Sequence, residues 1–291
     1  MVQQIFVAFS ILFQIALGQT TYNYKSGGSD WTGTCSTGQN QSPIDISNIQ
    51  GTCDNSMTID VSLYNQNVQT SVVKDQSGLS SAGDFGSLYA KDINGILIGY
   101  EATQLQVHIP SEHTVDGSGY DVELQIYFTI KKEFQASLAS QTPAVLNNAV
   151  VSVFYQIDPS LSSNFFNVWS PSSIGTNFSL NPATAFNGTI DSTNQYYSYQ
   201  GSLTQPTCDE TVNWYIFPQS NPISQIQYND IKKYIQGDLT FAGGHGNNRN
   251  LQSVNGRTIK LGNVQCEEQF IYFFSFFILY IFINYFIFKL L

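Results

Sequence analysis

A β-dominated domain with only short helices is what this sequence of 291 residues predicts, and three observations carry that expectation. Apolar and polar residues alternate with period two, most clearly at Leu105, Val107 and Ile109 against Gln106 and His108, and at Val122, Leu124 and Ile126 against Glu123 and Gln125. That period puts each set on one face of a strand. Further β-rich runs at Thr70 to Val73, Ala149 to Ile157 and Asn213 to Phe217 are separated by Gly, Ser, Asn and Pro, the residues that end strands. Helical periodicity is scarce. The best window is Ser224 to Ile235, where Ser224 is placed to cap the start and Tyr228, Ile231, Tyr234 and Ile235 share a face.

The two ends are apolar. Residues 1–18 carry no charged side chain, run apolar from Ile5 to Leu17 and finish in Ala16-Leu17-Gly18. This is the pattern of a secretory signal peptide, with a buried N-terminal strand as the alternative reading. From Phe270 to Phe288 the chain is almost wholly Phe, Ile, Leu and Tyr, with Lys289 beyond. At 1.5 Å per residue a stretch of about 20 crosses the bilayer core, so a transmembrane helix is expected over 269–289. The rival is a lipid-anchor signal, with Gly262 or Asn263 as the attachment site. Residues 20–265 between these ends suffice for one large β-rich domain or two small ones, and no repeat divides them. The expected location is the secretory pathway, at a cell surface or vesicle membrane, with the domain on the extracytosolic side.

Composition agrees with that compartment and excludes some partners. Four cysteines, Cys35, Cys53, Cys208 and Cys266, favour disulfides in an oxidising environment, and none of their spacings suits a zinc knuckle. Asn177-Phe178-Ser179 and Asn187-Gly188-Thr189 are acceptor sequons for N-linked sugar; Asn40-Gln41-Ser42 also fits but is followed by Pro43. The net charge of −10 and pI near 4.5 argue against nucleic acid or anionic lipid as ligand, since both need a basic face. Lys131-Lys132, Lys232-Lys233, Arg249 and Arg257 are the only basic groupings, and each reads as a solvated charge or local ion pair.

Four blocks occur in order along the chain. The first runs from Tyr22-Asn23-Tyr24 and Gly27-Gly28-Ser29-Asp30-Trp31 through Cys35 to Ile46. The second is Leu105 to Gly117 followed by Glu123-Leu124-Gln125, the third Tyr197 to Trp214, and the last Asn247 to Gln252 with Asn255-Gly256-Arg257. Together they resemble the α-carbonic anhydrases. The resemblance implies a single domain on a twisted, mainly antiparallel central sheet of about ten strands with short peripheral helices, and a Cys35–Cys208 disulfide as in secreted members. Cys53 and Cys266 remain, and pairing them would tie the end of the domain to its body.

In that family a catalytic zinc is held by three neutral imidazoles, with a fourth position for a water whose pKa the metal lowers to about 7. The matching positions here are Gln106, His108 and Gln125, so one histidine of three is retained. Only His108, His113 and His245 exist in the whole chain, and an amide oxygen is a weaker zinc donor than imidazole. Around these positions the family's pattern persists. Thr204 and Glu112 match the pair that orients a metal-bound hydroxide, Glu123 matches the carboxylate behind the third histidine, and His113 matches a structural histidine. Lacking an imidazole partner, Glu123 is free to accept from the Gln125 amide or from another donor. The proton-shuttle position falls at Gln66 or a neighbour. His108 then reads as a hydrogen-bonded core histidine, Trp31 and Trp214 as packing, and Gln41 and Ser42 as residues that fix a turn.

These readings favour no cofactor, and a membrane-tethered, catalytically silent ectodomain serving as a binding or structural module for an unknown extracellular ligand or protein. The alternative is an active or weakly active zinc carbonic anhydrase that hydrates CO2 to bicarbonate and a proton. A residual esterase-like or different-metal activity in the same pocket is a third option with no positive sign in the sequence.

Overall fold

The structure, a computed structural model, describes residues 21–47 and 51–263. The expected signal peptide at 1–18, the expected transmembrane segment at 269–289 and Cys266 lie outside the described residues. Among the described residues no helix is long and apolar enough to cross a membrane. The strands in chain order are β1 Asp45–Ile46, β2 Gly51–Cys53, β3 Ile59–Leu63, β4 Val68–Ser71, β5 Val73–Asp75, β6 Gly78–Ala82, β7 Gly86–Lys91, β8 Leu97–His108, β9 Thr114–Val115, β10 Val122–Ile130, β11 Asn148–Asp158, β12 Asn177–Leu180, β13 Tyr196–Gly201, β14 Val212–Ser224 and β15 Ile259–Gly262. The helices are short: α1 Thr34–Thr37, α2 Lys132–Leu138, α3 Asn164–Val168, α4 Pro182–Ala185 and α5 Gln225–Ile235.

Eleven of these strands form one sheet, ordered β2-β15-β13-β14-β11-β10-β8-β6-β5, with β7 against β8 and β3 against β7. The pairings are antiparallel except β11 with β14 and β15 with β2, so the sheet is mixed. The expected Thr70 to Val73 run is split at Val72 between β4 and β5.

α5 forms where periodicity and a capping signal coincide. Ser224 Oγ accepts from Gln227 N, and Gln227 Oε1 accepts from Ser224 N, so two otherwise orphaned backbone donors are satisfied reciprocally. Ile231 and Ile235 are buried against the sheet, and Lys232 and Lys233 occupy the last turn, where positive charge suits the helix dipole.

Burial departs from simple alternation. Leu105, Val107, Leu124 and Ile126 face one apolar core, but the polar residues between them, Gln106, His108, Glu123 and Gln125, are also fully buried. The second face of the central strands carries its own apolar cluster, in which Tyr127, Val150, Phe154, Tyr199, Val212, Trp214 and Ile216 pack together. Three distant segments cover that face. The N-terminal arm, the 202–209 loop and the 245–250 segment meet on it, and the Cys35–Cys208 disulfide joins the first two. Cys53 is also disulfide-bonded.

Arg249 fastens this cover. Its guanidinium is buried, donating from Nη1 to the Ser42 carbonyl at 2.6 Å and from Nη2 to the Cys35 carbonyl at 2.7 Å, with the Trp31 ring 5.6 Å away. A lysine has no fork to reach both carbonyls. Arg249→Lys is therefore expected to lower stability by roughly 2 to 3 kcal/mol, the scale of charge-assisted hydrogen bonds, as a lower urea midpoint with unchanged slope. An unaltered midpoint would show that the arm docks without it.

Candidate functional site

Cross-strand register builds the site. Ser80 on β6, Gln106 on β8, Gln125 on β10 and Ser152 on β11 stand in one row across four strands. One step along, His108 is opposite Glu123. Because successive side chains alternate faces, Gln106 and His108 share the covered face with Glu123, Gln125 and Tyr127.

Each buried side chain is held from outside. His108 Nδ1 lies 2.8 Å from the Asn247 carbonyl oxygen and 3.4 Å from Glu112 Oε1. Asn247 is brought there because its neighbour Gly246 lets the chain pass hard against β8: a Cβ at 246 would overlap the Ile109 carbonyl oxygen. Gln106 donates from Nε2 to the Ser77 carbonyl at 3.0 Å and to Gln205 Oε1 at 3.2 Å.

Gln125 is fully engaged. Its Nε2 donates to Glu112 Oε2 at 2.8 Å and to Glu123 Oε1 at 3.0 Å, and its Oε1 accepts from the Tyr127 hydroxyl at 2.7 Å. Tyr127 was not singled out in the sequence. Its signal is there: Glu123, Gln125 and Tyr127 recur at period two on one strand, and burial of a phenol favours a partner for its hydroxyl. Burial also pushes the Tyr127 hydroxyl pKa well above its usual value, and the nearby Glu112 carboxylate adds to the shift.

Glu123 is the best-served group. Its Oε2 accepts from the backbone N–H of Glu112 and of His113, and its Oε1 accepts from Gln125 Nε2, Ser152 Oγ and His113 Nδ1. Burial alone would raise its pKa, but His113 by charge and hydrogen bonding, with help from His108, outweighs that and holds the carboxyl down at about 2. His113 Nε2 in turn meets the Tyr199 hydroxyl at 2.7 Å, and its ring lies against Trp214. Trp31 and Trp214 donate their indole N–H groups to the carbonyls of Asn23 and Ser202. Gln41 donates to the Cys208 carbonyl and to Glu210, while Ser42 bridges Tyr199 and Ser202.

Thr204 and Glu112 are not bonded to each other. Glu112 accepts from the Arg249 backbone N–H and from Gln125, whereas Thr204 lies near the Tyr127 hydroxyl, whose pKa it draws down, and its buried Oγ1 makes no hydrogen bond of standard geometry among the described residues. The same holds for Gln106 Oε1 and His108 Nε2. Gln125 is the competing donor: its amide nitrogen carries two N–H groups, and Glu112 accepts one while Glu123 accepts the other.

This donor set does not fit a catalytic zinc. Such a site needs three protein ligands plus an open position. Here Gln125 has turned its oxygen to Tyr127 and its N–H groups to two carboxylates, which leaves one imidazole nitrogen and one amide oxygen as free donors of the expected three. Among the described residues no group of three His, Cys, Asp or Glu side chains is arranged to hold a metal ion.

Comparison with known proteins agrees with the four blocks. The family model of the eukaryotic-type carbonic anhydrases matches residues 26–263. A carbonic anhydrase of Dunaliella salina is 29% identical over 269 residues, covering 82% of this chain and 43% of that protein, so the chain spans less than half of that relative's length. Carbonic anhydrase Nec1 of Nesocodon mauritianus is 30% identical over 258 residues, covering 80% of this chain and 78% of its own. Among solved structures, that of a halotolerant carbonic anhydrase from Dunaliella salina superposes with a TM-score of 0.65 at 25% identity, covering 84% of this chain and 99% of the other. With sheet, disulfide and family model in agreement over nearly all of the described residues, this chain belongs to the eukaryotic-type carbonic anhydrase family.

Proposed function

We propose that this carbonic anhydrase domain is catalytically silent and acts as a binding or structural module on the extracytosolic side of a membrane. One observation carries the reading: Gln125, at a zinc-ligand position by family resemblance, has both ends of its amide bonded to Tyr127, Glu112 and Glu123. Releasing it for a metal would break three buried hydrogen bonds, each worth about 1 kcal/mol or more, to gain a ligand zinc seldom takes. The extracytosolic placement is supported by the Cys35–Cys208 disulfide and by the exposure of both sequon asparagines, Asn177 and Asn187. The tether rests on the apolar stretch 270–288.

Elemental analysis of the purified full chain, produced with zinc present, alongside a CO2 hydration assay tests the proposal. The expected result is far less than one zinc per chain and hydration no faster than in buffer. Near-stoichiometric zinc with activity that His108→Ala abolishes would overturn it and establish the active enzyme instead.

A further inference from the structure

A cleft of about 370 Å³ opens on the surface between the N-terminal arm and the 245–250 segment. Lys25, Ser26 and Gly27 line it from one side, and His245, Asn248 and Asn250 from the other. Its walls are tied together within the fold. Tyr24 N donates to the Phe241 carbonyl at 2.8 Å, Asn250 N to the Gly27 carbonyl at 2.9 Å and Asn250 Nδ2 to the Ser26 carbonyl at 3.3 Å. Alternation explains which side chains face outwards: Asn247 and Arg249 are buried, whereas Asn248 is half-buried and Asn250 exposed.

The lining carries one sign of charge. A Cβ built on Gly243 would stand 3.4 Å from Lys25 Cγ and 3.6 Å from His245 Cδ2, so these two side chains flank one point. Both are exposed, and among the described residues Lys25 Nζ, the His245 ring, the Asn248 amide and Ser26 Oγ make no hydrogen bond. No carboxylate lines the cleft. Asp238 is bound to Lys74 at 2.6 Å, and Asp30 lines a separate, smaller cleft with Trp31. In a chain of net charge −10, such a cleft is a local exception.

We propose that this cleft binds a sugar carrying one tetrahedral oxyanion, as a phosphate or sulfate ester, with the oxyanion between Lys25 and His245 and the sugar hydroxyls on Asn248, Asn250 and Ser26. Charge selects the oxyanion: the ammonium offers three N–H donors, and the imidazole at least one in either tautomer. Net charge selects a single ester. An acidic surface repels a polyanion that reaches beyond the cleft, while salt screens one small anion from charges more than about 8 to 10 Å away. The remaining lining selects the sugar, since amides and a hydroxyl both donate and accept, as sugar hydroxyls do. Volume agrees, because the cleft lies within the range of small-molecule sites, about 300 to 1,000 Å³. The site is outside the covered face, so it goes beyond the silent-domain reading and does not depend on it.

Ring 15N–1H correlation spectra of the purified full chain at constant pH test the proposal, with glucose 6-phosphate, glucose 6-sulfate, glucose and inorganic phosphate as probes. The chain has three histidines, so His245→Gln assigns the reporting signal. Both esters should shift that signal saturably, inorganic phosphate should bind more weakly, and glucose should leave it in place. Lys25→Gln should weaken ester binding about fivefold, the upper end for a solvent-exposed ion pair, and the exposed Lys132→Gln on α2 should not. Lys25 Nζ makes no bond within the fold, so weaker binding in that variant would not report unfolding. No saturable shift, or affinity indifferent to Lys25→Gln, would overturn the site. Inorganic phosphate binding as tightly as the esters would overturn the sugar assignment. Binding lost in His108→Ala but kept in Lys25→Gln would put the oxyanion on the covered face and sink the cleft. None of these outcomes alters the zinc and hydration test of the silent-domain reading.

Discussion

Replacing Cys35 or Cys208 by serine is expected to remove about 5 kcal/mol of stability. The bridge closes a loop of 173 residues, and the chain-entropy account gives about 4.7 kcal/mol for a 100-residue loop and slightly more for a longer one. The local structure adds to this. Arg249 docks on the Cys35 carbonyl and Gln41 on the Cys208 carbonyl, so the disulfide pins together the N-terminal arm and the loop that carries Thr204. Urea unfolding of Cys35→Ser against the oxidised parent should show the lower midpoint. A loss under about 1 kcal/mol would mean that Arg249 and Gln41 hold the cover without the covalent link.

The second large effect is expected at Glu123. Glu123→Gln keeps the shape but removes the charge and turns one acceptor into a donor facing donors from Glu112, His113, Gln125 and Ser152. Breaking a buried, paired carboxylate in this way costs about 3 to 5 kcal/mol. The same carboxylate predicts an acid response. Its folded pKa is depressed from 4.5 to about 2, so the folded state binds fewer protons than the unfolded one across that interval. The stability it contributes is complete above about pH 4.5 and is lost as pH falls through about 2, a change of about 3 kcal/mol. Chemical denaturation of parent and Glu123→Gln at stepped pH values checks both. The variant should be less stable at neutral pH and should lack that part of the acid slope. Parallel pH curves would show that the carboxyl titrates normally in the fold.

How much of this was legible in the sequence differs between backbone and site. Period-two alternation at Leu105 to Ile109 and Val122 to Ile126 placed β8 and β10, and Ser224 with its helical face placed α5, because these depend on neighbours a few residues apart. The split at Val72 and the parallel β11–β14 pair depend on partners far along the chain and left no local mark. For the site, family resemblance brought Gln106, His108, Gln125, Glu112, Glu123 and Thr204 to attention as residue types. It did not show which end of each amide faces inwards.

Sequence by itself determined the strand-rich class and the acidic balance, which are properties of residue identity and short-range order; that Gln106 and Gln125 stand at zinc-ligand positions is what the family resemblance implies. Tertiary structure alone decided that the polar face of the central strands is buried, that Tyr127 takes the Gln125 oxygen, and that Glu112 bonds Gln125 in place of Thr204. The reason is physical: hydrogen-bond direction in a buried site is set by which donors and acceptors converge there. In this chain they come from segments as far apart as Ser42 and Arg249.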